Sequence, residues 1–244
     1  MGRIVKSGPV RRAEILTHAV NLFFRKGYDA TTIEDILASV SLSKGAFYHH
    51  FKSKEELLEA FTAVIAGSIA EQGSRLLAED CSECERLNRV LKIGQRIQYE
   101  SDPAPISAYA SLFRTENAPL YRRIMDVGSK TLKPMLLAII SAGIAKGEFD
   151  VPDAPLAAET ILQLSVTRFQ VIVDALRLAQ EGDMRNARRL LDLRIDAECR
   201  LVERILGLAA NSVALADPGH VESALLALSA GSARHRAAKR LGKV

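Results

Sequence analysis

Two helix-start signals, Thr31 and Ser43, stand on either side of a short turn, Ser41-Leu42-Ser43, and they limit the fold more than any other feature of the chain. Thr31-Thr32-Ile33-Glu34 has the pattern of a capping box, with Thr31 as N-cap and Glu34 at the third helical position. Ile33, Ile36 and Leu37 follow as an apolar stripe that ends near Val40. Ser43 caps a second short helix, predicted over 44–51. Two short helices around a three-residue turn form a helix-turn-helix.

The flanks are consistent with this reading. Ile15, Leu16, Ala19, Val20, Leu22 and Phe23 recur at helical spacing and predict a helix over 10–26. Gly27 stands where a left-handed C-cap belongs, and Arg25 and Lys26 suit the negative end of the helix dipole. Ser53-Lys54-Glu55-Glu56 repeats the capping pattern and opens a long helix with Leu57, Leu58, Phe61, Val64, Ile65 and Ile69. Further helices are predicted over 84–100, 105–115, 118–147, 155–181, 184–211 and 219–240, separated by Pro- and Gly-bearing breaks. The fold class is therefore all-α. A three-helix domain over 1–53, ordered from about 8, precedes a larger helical domain over 54–231 and a basic tail over 232–244.

The net charge of +4 is modest, but its distribution is uneven. Residues 1–54 carry nine Lys and Arg against four acids. A helix that enters the major groove presents its N-terminal residues to base edges. In the second short helix these are Ser43, Lys44 and Gly45, followed by Tyr48 and His49. Thr31, Thr32, Tyr48 and Lys52 can reach phosphates. Phe47 and Phe51, four apart, are expected to face inward. The adjacent His49 and His50 diverge by about 100° on a helix and do not readily share a ligand.

The run GYDATTIEDILASVSLSKGAFYHHFKSKEELLEAF resembles the N-terminal domain of the TetR family of repressors, over about residues 8–61. That resemblance implies a homodimer on a palindromic operator in double-stranded DNA. It also implies a small-molecule effector bound in the C-terminal domain that relieves repression. The family usually has Gly where this chain has Ser41, so Ser41 is expected to carry the strain of a positive φ. A DNA-binding regulator without an effector, and an activator, are the alternative readings.

Candidate effector contacts are Phe61, Ile65, Tyr99, Tyr109, Phe113, Tyr121, Met125 and Phe169, although a bundle core would use the same residues. The C-terminal domain contains no nucleophile elbow, phosphate loop or His/carboxylate metal motif, so no enzyme, cofactor or metal is expected. Cys81 and Cys84 make a single pair where a zinc site needs four ligands. Three cysteines, no signal peptide and no long uninterrupted apolar run predict a cytoplasmic protein with no membrane span.

Overall fold

The computed structural model describes residues 7–100, 110–114 and 117–216, with positions 222, 225 and 226, apart from the side chains of 94–100, 110 and 111. Among the described residues the regular elements are all helical. They are α1 (Gly8–Lys26), α2 (Ile33–Val40), α3 (Lys44–Tyr48), α4 (Lys54–Leu77), α5 (Glu83–Glu100), a 3-10 turn (Ala110–Phe113), α6 (Ala118–Ala145), α7 (Ala154–Val166), α8 (Phe169–Gln180) and α9 (Met184–Leu206).

The N-terminal helices start and stop by local chemistry. The capping box of α2 lies one residue later than the sequence pattern suggests. Thr32 is the N-cap, its hydroxyl accepts from the Asp35 amide, and the Asp35 carboxylate accepts from the Thr32 amide. Thr31 is instead buried and donates its hydroxyl to the Gly27 carbonyl at 2.6 Å. Gly27 has φ 96° and ψ 147°, not the left-handed helical values expected of it; side chains with a Cβ essentially never adopt that region. Ser41 does take the left-handed conformation, φ 51° and ψ 47°, and its amide donates to the Leu37 carbonyl. The helix predicted over 44–51 closes at Tyr48, and His49 and His50 form a turn.

Farther along, the helix predicted over 155–181 is two helices, interrupted at Thr167 and Arg168. The helix predicted over 184–211 ends at Leu206, where Gly207 takes φ 66° as C-cap. From the 105–115 prediction, the described part is the 3-10 turn; the 219–240 prediction and the 232–244 tail lie almost wholly outside the described residues. Two stretches, Ala118–Ala145 and Ala154–Gln180, are long and apolar enough to cross a membrane by length and composition alone, a test that the core helix of a globular protein also passes. On α6 the apolarity serves the core, because Leu132, Leu136, Ile139 and Ile140 are buried.

Two apolar clusters hold the molecule together. The first joins Ile15, Phe23, Phe24, Ile36, Phe47, Phe51, Leu57 and Phe61 of the N-terminal helices to Phe113, Leu120, Tyr121 and Ile124. The second lies among α4, α5, α6, α7 and α9, around Leu87, Leu136, Ile140, Ile161 and Leu206. Helix α4 belongs to both, through Phe61 and Ile69. It therefore links the two clusters.

Candidate nucleic-acid interface and buried cavity

Helix α3 is short and stands on two anchors. Phe47 and Phe51 are fully buried, with ring centroids 6.3 Å apart, and the Arg12 guanidinium covers Phe51 at 4.2 Å. These contacts leave Ser43, Lys44, Gly45, Tyr48 and His49 exposed on the outer edge. The Ser43 hydroxyl accepts from the Ala46 amide at 3.3 Å, so the first turn of α3 is capped by its own chain. A Cβ added at Gly45 would meet nothing within 4 Å. The protein itself therefore does not require glycine there, although it weakens the helix by about 1 kcal/mol relative to alanine. A surface that must approach another molecule closely does require it. Tyr48 packs edge-on against Phe47 and keeps 45% exposure, leaving its ring and hydroxyl at the surface.

The other predicted contacts divide into two groups. Thr32, the N-cap of α2, and Lys52, two residues before α4, are exposed. Thr31 has only 1% of its surface exposed, so it is a structural residue, not a phosphate contact. Sequence reasoning passed over Lys54. A cation at the start of a helix opposes the dipole, and this one is used elsewhere. Its ammonium donates to the Tyr28 and Thr31 carbonyls at 2.8 and 3.2 Å and lies 4.4 Å from the centroid of the Tyr28 ring. Lys54 thus clamps the α1–α2 connection to α4. Burial, together with the neighbouring Glu55 carboxylate, pushes the Tyr28 phenol up to about 12. The Lys26 ammonium and the Thr32 groups hold the Asp35 carboxyl down at about 2, which fixes the start of α2 against the end of α1.

Two further contacts tie α1 to the start of α6. The Asn117 amide donates to the Phe24 carbonyl at 3.4 Å, and Arg114 donates to the Arg25 carbonyl at 3.2 Å. Helix α6 then runs along a cavity of about 110 Å³. Its walls are mostly aliphatic and come from α4 (Ile65, Ile69), α5 (Val90, Leu91), α6 (Tyr121, Met125, Gly128, Leu132), α7 (Ile161, Leu162) and α9 (Val202). Of the predicted effector contacts, Ile65, Tyr121 and Met125 line this cavity. Phe61 and Phe113 do not; they are packed into the first apolar cluster, Phe61 on Phe24 and Phe113 on Tyr121. Phe169 does not either: its ring packs on Tyr121 at 4.6 Å and on Phe113 at 6.2 Å. Tyr109 and the side chain of Tyr99 lie outside the described residues.

The cavity also has a charged wall, which the aromatic pattern of the sequence does not reveal. Arg168, at the interruption between α7 and α8, donates through Nε and Nη2 to Glu198 of α9. Both residues line the cavity, and their side chains keep 13% and 2% exposure. Arg194 donates to the same carboxylate at 2.6 Å. In the sequence, Arg168 is the sole charge between Thr160 and Val173, which was the available signal. The cysteines take no part. Burial pushes the Cys84 thiol up, and among the described residues no cluster of three metal-binding side chains occurs.

Over 139 residues the chain is 26% identical to the HTH-type transcriptional repressor KstR2 of Mycolicibacterium smegmatis, covering 57% of this chain and 67% of that one. Other curated HTH-type regulators reach 46% to 50% identity, but over 46 to 48 residues, which is 17% to 25% of their own lengths. The crystal structure of a regulatory protein of the tetR family from Rhodococcus RHA1 matches with a TM-score of 0.52 at 24% identity, over 84% of this chain and all of that one. The structure of AibR in complex with isovaleryl coenzyme A and operator DNA has a TM-score of 0.50 at 24% identity, over 66% of this chain and 86% of that one. These two structures support the fold. Residues 15–61 match the sequence profile of the bacterial regulatory proteins of the tetR family.

Proposed function

We propose that the protein is a cytoplasmic repressor that binds a palindromic operator as a homodimer and leaves it when a small molecule occupies the cavity. The observation that carries the DNA-binding half is the exposed edge of α3, where Lys44, Gly45 and Tyr48 stand over two fully buried phenylalanines. A two-fold dimer would present two such edges to successive major grooves. Leu193 and Leu201 of α9 keep 55% and 45% exposure, and Leu156 of α7 keeps 61%. They offer the apolar area from which a helix-on-helix dimer contact is made.

Coupling between the sites runs through shared elements. Helix α4 begins at the Lys54 clamp, packs Phe61 on Phe24, and lines the cavity with Ile65 and Ile69. Helix α6 begins at the Asn117 contact with α1 and lines the cavity with Tyr121 and Met125. A ligand that fits one packing of α4 and α6 better than another biases the spacing of the two recognition helices. It does so only by its difference in affinity for the two states.

Selection from a pool of randomised duplexes tests the reading. It is expected to enrich a two-fold symmetric sequence with half-sites about one helical turn apart. Enrichment of no sequence would contradict it. Lys52→Ala is expected to weaken binding about equally on all sequences and to reduce the salt slope by about 1.

A further inference from the structure

We propose that the cavity takes an amphiphilic monoanion, with its apolar body among the aliphatic walls and its acidic head on Arg168. This rests on the reading of the cavity as an effector site and adds the chemistry of the effector. One carboxylate, Glu198, faces two guanidiniums, Arg168 and Arg194, so the cluster holds one positive charge more than it neutralises. Glu198 is 1% exposed, and Arg168 and Glu198 line the cavity together with Ile161, Leu162, Val202 and Leu215, whereas Arg194 stands outside the lining with 30% of its side chain exposed. With Glu198 shared between two guanidiniums, Arg168, the less exposed of them, keeps attraction for a further anion on the cavity side.

The donors point the same way. Glu198 Oε1 accepts from Nε of Arg168 and Nε of Arg194, and Oε2 accepts from Nε and Nη2 of Arg168. Arg194 Nη2 donates to the Thr167 hydroxyl at 2.6 Å. Among the described residues, Nη1 of Arg168 donates to no acceptor. Guanidinium forks match carboxylates, and a charge-assisted hydrogen bond is about twice as strong as a neutral one. The remaining polar lining is hydroxyl: Tyr121, Ser129 and Ser165. A cationic head has nothing to gain here beyond Glu198, which already has two partners. A neutral hydroxyl gains one bond but leaves the extra charge in place.

Calorimetric titration of the full chain with three probes of one tail length tests this: decanoate, 1-decanol and decyltrimethylammonium. Decanoate is expected to bind the wild type about tenfold or more tighter than 1-decanol, with the cation no better than the alcohol. Arg168→Met is expected to abolish the preference while leaving 1-decanol affinity nearly unchanged. Because that change leaves Glu198 with one partner, the double variant Arg168→Met/Glu198→Leu repeats the test without a buried, half-paired carboxylate. Glu198→Gln, which removes the competing carboxylate, is expected to tighten decanoate severalfold, an effect that a purely structural ion pair would not produce. Equal affinity for decanoate and 1-decanol, or a carboxylate preference that survives in the double variant, overturns the proposal while leaving the cavity an apolar site. Binding of none of the probes overturns the effector reading itself, and the proposal with it.

Discussion

The two working regions of this molecule use their cations in opposite ways. At the N-terminal end Lys44 and Lys52 are left in water, on a surface whose anchors, Phe47 and Phe51, are wholly buried. At the other end Arg168 is folded into an apolar wall and held by Glu198. A solvated lysine contributes little to folding, so it can be positioned for a partner alone. A buried arginine is part of the core, and its removal disturbs the fold before it disturbs any ligand. Substitutions should therefore separate the regions: loss of function without loss of stability at one end, and both together at the other.

The largest expected effect tests the buried side. Arg168→Met should destabilise the protein by about 3 kcal/mol or more, because Glu198 would remain buried with only Arg194 as partner. Urea unfolding measures this, and pairing the change with Glu198→Leu should restore most of the loss. An unaltered midpoint for Arg168→Met would show that Glu198 reaches water easily, and the contrast between the regions would weaken.

Smaller effects test how locally the N-terminal helices are specified. Thr32→Ala removes the N-cap of α2 and should cost about 1 kcal/mol, whereas Glu34→Ala should cost less, because Asp35 closes the box. The same carboxylate sets a pH dependence. Its folded value, about 2, lies below its ordinary one, so its contribution is complete above the ordinary aspartate range. That contribution declines as the pH falls through the ordinary value toward about 2. Asp35→Asn should therefore flatten the acid limb of the stability profile and leave its neutral limb unchanged in slope. The smallest change is at Ser41, where a left-handed backbone carries a side chain. Ser41→Gly should be neutral or stabilising by up to about 1 kcal/mol, read as a small rise in Tm.

The helix-turn-helix was legible because its determinants lie within a few residues of one another. Ser43 caps α3, Ser41 turns the chain, and Phe47 and Phe51 face inward, each as the local pattern implies. The one-residue shift of the α2 cap shows where local reasoning stops. Thr31-Glu34 and Thr32-Asp35 both have the right spacing, and the choice between them is made by tertiary contacts. Thr31 is drawn into the core by the Gly27 carbonyl, and Asp35 is drawn toward Lys26. The cavity was far less legible. Aromatic residues were reasonable candidates for its walls, but Phe61 finds Phe24, and Phe113 and Phe169 find Tyr121. Apart from Tyr121, the apolar walls are mostly aliphatic residues from five helices, whose convergence no short pattern records. Arg168 was the exception, a lone charge in an apolar run, and it marks the break between α7 and α8.

The central claim is that α3 reads DNA through the edge that begins at Lys44. Fluorescence anisotropy with the selected operator, wild type against Lys44→Ala at one salt concentration, tests it most directly. The variant should lose about 1–3 kcal/mol on the operator, with a smaller loss on unrelated duplex, and should unfold at the wild-type temperature because Lys44 is exposed. Equal operator affinity for the two proteins at matched salt would contradict the claim and move recognition away from α3.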